Sequence, residues 1–176
     1  MPPIFLIDAI AKHLKDALKN INLKEPEERA FLPPGSLNTR EPLQTLKNSD
    51  DKKVEVKIFK GPISSQAKDE SSFPYVSIIL ESGTYQDNNV ICNVQIDCGV
   101  FSQDYQGHLD LINLISRVVY AIKTLKNSTL ENKYVLSEQI KFEISDADTS
   151  PYYQGLISTS WQFIGPTYLW GDFKDE

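Results

Sequence analysis

Apolar residues near the start of the chain recur at Ile7, Ile10, Leu14, Ala17, Leu18 and Ile21. These steps of three and four predict one amphipathic helix, with Lys12, Lys15, Asp16 and Lys19 on its wet side. Asp8 in the first turn and lysines in the later ones have the polarity that complements a helix dipole. Over residues 22–53 neither period persists, because Pro26, Pro33, Pro34, Gly35, Pro42 and a polar run over 47–53 interrupt it. A connection that long is either an arm that reaches a neighbouring molecule or a loop without a partner, and the residues leave both readings open.

Beyond it the period changes to two. Val54, Val56 and Ile58 alternate with Glu55, Lys57 and Phe59 before Gly61-Pro62, which predicts a half-buried strand. Phe73-Pro74-Tyr75 opens a second strand through Val76, Ile78 and Leu80, closed by Ser82-Gly83. Residues 89–101 form the longest strand pattern, with Val90, Cys92, Val94, Ile96, Cys98 and Val100 toward the core, and pair antiparallel with the second strand. Residues 102–107 then supply polar capping positions for a helix over 109–122. Its apolar face holds Leu111, Ile112, Ile115, Val118, Val119 and Ile122, and its wet face Asn113, Ser116, Arg117 and Lys123. Two more strands are expected, over 134–144 and 155–163. The order α-β-β-β-α-β-β predicts an α+β domain, a mainly antiparallel sheet with two helices on one face.

At 176 residues the chain suits one domain with a proper core, decorated by the insertion at 22–53 and an aromatic tail at 165–176. Eighteen basic against 24 acidic residues give a net charge of −6, and no Lys/Arg cluster is interleaved with aromatics. A stable footprint on a phosphate backbone is therefore disfavoured. An acidic surface suits solubility, and it also suits a channel that DNA must traverse without sticking. The N-terminal apolar patch, interrupted by Asp8, predicts no secretion signal, and no apolar run is long enough to span a bilayer. Cys92 and Cys98 lie six strand residues apart, about 20 Å, which is beyond disulfide reach. Buried free thiols in a reducing compartment are the expectation.

Candidate chemistry is sparse. His13 and His108 have no spacing suited to zinc or a triad, and Cys92 on an apolar strand face reads as an inert thiol rather than a nucleophile paired with His108. Asp104, Asp110, Asp146 and Asp148 could be drawn as an acid-base or calcium site. No EF-hand glycine or closing Glu accompanies them, so turn and cap roles are expected. Phosphate-binding glycine loops are lacking. No catalytic, cofactor or metal residue is assigned. The aromatics Tyr152, Tyr153, Trp161, Phe163, Tyr168, Trp170 and Phe173 gather late in the chain. Trp161 and Phe163 are expected in the core, and Tyr168, Trp170 and Phe173 either fold back or dock on a partner subunit.

The passage Val94-Gln95-Ile96-Asp97-Cys98-Gly99-Val100-Phe101, then Gly107 and the helix over 109–122, then Pro151-Tyr152-Tyr153-Gln154-Gly155 before a strand with Trp161, resembles bacteriophage tail-terminator and tail-completion proteins. The resemblance covers roughly residues 75–164. It implies a virion protein, not an enzyme, without cofactor, assembled in the host cytoplasm. Such a protein forms a ring, commonly a hexamer, that caps the completed tail tube and joins it to the head connector. The implied partners are other copies of the chain, the tail tube protein, the head-tail connector protein and, in a contractile tail, the sheath. DNA passes through without specific binding. The implied subunit or partner contacts are Pro33, Pro34, Arg40, Tyr152, Tyr153, Tyr168, Trp170 and Phe173. The proline-rich insertion keeps open a head-tail adaptor or a component of a contractile tail or tail-like bacteriocin. A small carboxylate-dependent hydrolase using Asp104 or Asp148 is the remote alternative.

Overall fold

The structure is a computed structural model. It describes residues 3–19, 55–63, 70–86, 88–102, 107–137, 139–145 and 150–165. In chain order the elements are α1 (Ile4–Ala17), β1 (Lys57–Lys60), β2 (Tyr75–Gln86), β3 (Asn89–Phe101), α2 (Gly107–Lys123), β4 (Thr129–Leu130), β5 (Tyr134–Leu136), β6 (Lys141–Ile144) and β7 (Tyr152–Ile164). They form one sheet ordered β1-β2-β3-β7-β5-β4, with β6 also paired to β7. Only β1 and β2 run parallel; every other pair is antiparallel. Helix α1 packs on β1 and β2, α2 packs on β3 and β7, and the helices touch each other. The chain has the expected α+β fold.

Strands β3 and β7 pair without interruption from Asn89↔Ile164 to Phe101↔Tyr152. Because side chains alternate across a sheet, this register sends Val90, Cys92, Val94, Ile96 and Cys98 to the same face as Phe163, Trp161, Thr159, Ile157 and Gly155. All are buried there beneath Leu6, Ile10 and Leu14 of α1 and Leu111, Leu114, Ile115, Val118 and Ile122 of α2. Thr159 is the polar member. Its hydroxyl donates to the Val94 carbonyl at 3.0 Å and accepts from Trp161 Nε1 at 2.9 Å, which satisfies the buried indole.

Several boundaries differ from the sequence pattern. Helix α1 starts at Ile4, so Asp8 lies beyond the first turn and instead meets Lys60 Nζ at 2.6 Å. Ala17 is exposed, and Ile21 lies outside the described residues. Strand β2 does not stop at Ser82-Gly83. A bulge between Leu80 and Ser82 absorbs the irregularity, and pairing with β3 continues to Gln86↔Asn89. The long alternation of β3 offers a partner to each of these residues, and that outweighs the local turn preference.

The single strand expected over 134–144 is two. Leu136 faces Trp161 while Lys141 faces Ser158, so the outer strand carries two extra residues. The ladder yields between Leu136 and Lys141, and because two is even, Leu136 and Ile144 keep the same face. The short β4–β5 hairpin is absent from the hydrophobic pattern. Its turn places Glu131 and Asn132 at φ of 52° and 55°, closed by the Lys133 N–H on the Leu130 carbonyl at 3.1 Å.

Helix α2 begins two residues early, at Gly107, where a Cβ would sit 2.2 Å from the Tyr153 ring. Leu114 and Ala121 complete its buried stripe, whereas Ile112 and Val119 fall on the margin and Leu109 is exposed.

Two substitutions test this packing. A Cβ at Gly99 would lie 2.2 Å from the buried Tyr75 ring. Gly99→Ala is expected to lower unfolding stability by about 1–3 kcal/mol in urea titration. Thr159→Val should cost about 1–3 kcal/mol by the same measurement, because it strands the Trp161 N–H.

Candidate functional site

The face of the sheet away from the helices is polar. Asn93, Gln95 and Asp97 of β3 stand opposite Ser160, Ser158 and Leu156 of β7, with Gln154 and Gln162 beyond. Gln95 Nε2 donates to Asp97 Oδ1 at 2.7 Å, and Asn93 Nδ2 to Ser82 Oγ at 3.0 Å, so amides and hydroxyls brace one another along the face. Its charged residues include Glu81, Asp97 and Glu143 on the acidic side and Lys141 and Lys57 on the basic side. A depression of about 360 Å³ near one end is lined by Tyr75, Asp97, Glu143 and Gln154, among others. Burial, reinforced by the charge of Asp97, pushes the Tyr75 phenol up to about 12. The phenol therefore keeps its proton at neutral pH.

Both lateral edges of the sheet are open among the described residues. Strand β1 covers β2 only from Tyr75 to Ile78, so residues 79–86 present an unpaired backbone edge. On the opposite side, the outer edge of β6 has no strand beside it. Unpaired edges of this kind are templates for strand addition. Against β6, on the helix side, α2 leaves a groove of about 420 Å³ lined by Ile112, Ile115, Val119, Tyr120, Phe142 and Ile144.

The residues singled out from the sequence fall into three groups. Tyr152 packs in a cluster with Phe73 and Phe101, at centroid distances of 5.4 and 5.3 Å, and Tyr153 lies against Gly107 and the core. Both rings serve their own domain while remaining half-exposed. Trp161 and Phe163 are in the core. His13 donates from Nε2 to the Ala121 carbonyl at 2.9 Å, tying α1 to α2. His108 is exposed at the α2 N-terminus, beside Tyr153, whereas Cys92 pairs with Trp161, about 26 Å along β7. The two do not form a dyad. Pro33, Pro34, Arg40, Asp104, Asp146, Asp148, Tyr168, Trp170 and Phe173 lie outside the described residues.

Among the described residues no group of three or more His, Cys, Asp or Glu side chains is placed to hold a metal ion, and no helix is long and apolar enough to cross a membrane. The open edge of β2 and the groove were not legible beforehand. The first was hidden by reading Ser82-Gly83 as a turn. The second depended on which flank of α2 the edge strand would follow.

Cys92 and Cys98 are free and fully buried, and burial raises both thiols above their ordinary range. Neither should react with an aromatic disulfide reagent at pH 8 in the folded protein, and both should react in denaturant. Rapid labelling of the native protein would contradict their placement in the core. Comparison of the sequence with protein-family models finds no match, and comparison with curated proteins finds none.

Proposed function

We propose that this chain is a structural component of a phage tail, one that assembles with copies of itself into a ring, closes the completed tail tube and joins it to the head connector. The observation that carries this reading is the pair of open sheet edges. Strand direction alternates from β2 through β3 and β7 to β6, so β6 runs opposite to β2. With two copies standing the same way up, β6 of one therefore runs antiparallel to β2 of the next, and a shift along the strands carries it from the level of residues 76–79 to the uncovered residues 79–86. Such a contact joins two different surfaces. It propagates from copy to copy and closes into a ring when the rotation between copies divides a full turn.

The polar face supports the same reading. Around Asn93, Gln95 and Asp97 the amides, hydroxyls and carboxylates of this face offer a polyanion no cationic patch, so DNA can pass a wall of this composition without adhering. The partners are the tail tube on one rim of the ring and the head connector on the other, with a sheath if the tail is contractile. The ring acts through complementarity of these surfaces, which stops tube growth and presents a new one.

Light scattering on the purified protein, with negative-stain imaging of the same fraction, tests the assembly. Six copies of the 20.0 kDa chain would give about 120 kDa and visible rings. A protein that stays monomeric and fails to cap isolated tail tubes contradicts the proposal. Removing residues 168–176 should leave a folded protein that assembles poorly. Unchanged assembly would remove the tail from the contact.

A further inference from the structure

We infer that Phe142 of one copy seats in a notch at Gly83 of the next, and that this contact sets the register in which β6 joins β2. The inference rests on the ring proposed above and names the residues that align its seam.

Both edges carry apolar side chains that their own domain leaves uncovered. On β6, Phe142 belongs to the core-facing row, opposite Ile157, and is 58% exposed. On β2 the core-facing row runs Ile78, Leu80, Gly83 and Tyr85, opposite Ile96, Val94, Cys92 and Val90. Those four partners and Ile78 are buried, yet Leu80 is 40% and Tyr85 63% exposed. Gly83 stands between them without a side chain. Among the described residues, a Cβ there would meet only Cys92 Sγ at 3.6 Å and the Ile91 carbonyl at 3.9 Å, both in the adjoining strand. The row therefore holds a gap flanked by two apolar side chains, and a ring from a facing strand can fill it.

One chain cannot bring ring and gap together, because β3 and β7 lie between β2 and β6 in its own sheet. A second copy can. With copies standing the same way up, their core-facing rows lie on the same side of the joined sheet, so Phe142 comes to the row of Leu80, Gly83 and Tyr85.

The bounds of the free edge then narrow the register. Strand β1 covers β2 as far as Ile78, and β2 ends at Gln86. Within that stretch the period of two allows Phe142 to face Leu80, Gly83 or Tyr85. Opposite Leu80, Ile144 would run onto the stretch that β1 occupies. Opposite Tyr85, Leu80 would stay uncovered. Opposite Gly83, Phe142 lies between Leu80 and Tyr85 and Ile144 comes beside Leu80, so the apolar side chains of both edges cover one another. On the other face Lys141 then meets Thr84 and Glu143 meets Ser82, polar against polar.

This register carries β6 from the level of Ile96 to that of Cys92, a step of four residues, or about 14 Å, per copy. Over four strand spacings, about 19 Å, the step tilts the strands by about 35°, a slope at which sheets close into barrels.

Gly83→Val and Phe142→Ala, made singly in the full chain, test the notch by light scattering at concentrations where the wild type forms rings. The first fills the gap and the second removes a ring that is exposed in its own domain, so circular dichroism should show both chains folded. Each should lower the fraction in rings at least tenfold. For the register, Lys141→Cys is mixed with Thr84→Cys, or with Gln86→Cys, and oxidised mildly; the native thiols are buried. A disulfide between residue 141 of one chain and 84 of another, and none to 86, is the expected result. Rings that form from both notch variants as from the wild type overturn the notch, and a 141–86 disulfide, or none to either residue, overturns the register, with the ring itself standing in each case. A wild type that stays monomeric, alone and with isolated tail tubes, overturns the ring and this inference with it.

Discussion

The fold depends on the ladder between β3 and β7. Thirteen residues pair in one register, and the period of two then assigns every side chain of both strands to a face. Slipping the register by one residue would drive Asn93, Gln95 and Asp97 into the helices and expose Cys92, Val94 and Ile96. The core helices, the internal Thr159–Trp161 bond and the polar outer face are all consequences of that one alignment. It holds because apolar burial on one side and solvated amides on the other reinforce the same register.

The ladder also explains what the domain leaves unfinished. It is longer than the strands flanking it: β1 meets only the first four residues of β2, and the outer strand beside β7 breaks into β5 and β6 around a two-residue bulge. Among the described residues, a long central pair with short flanks leaves backbone groups without a strand partner on both sides, and α2 is too narrow to cover Phe142 at the far edge. Edges and groove thus share one origin, a sheet wider than its helical cover. Isolated, such edges are a hazard; in the proposed ring, pairing between copies would cover them.

The central strand pattern was legible because its period is strict. Val90 to Val100 alternates without fault, and its bounds and facing agree with the structure. The stripes of α1 and α2 were legible too, though their margins shifted by a residue or two, since helix ends depend on caps and contacts rather than on period. Ser82-Gly83 misled because turn preference is local and the pairing that overrode it is not. The β5–β6 bulge and the β4–β5 turn were invisible to hydrophobic period, although Asn127 and Asn132 signal left-handed backbone nearby. The resemblance in residues 75–164 pointed to a ring. It could not point to the open edges or the groove, which exist only once the strands are placed.

The most direct measurement of the central claim is amide hydrogen exchange at the two sheet edges, in dilute protein and at concentrations where rings form. Outward-facing amides of residues 79–86 of β2 and of Lys141–Ile144 in β6 should exchange far more slowly in the assembled state, while β3, already paired on both sides, changes little. Equal exchange at both edges before and after assembly would contradict a ring built by joining β2 to β6.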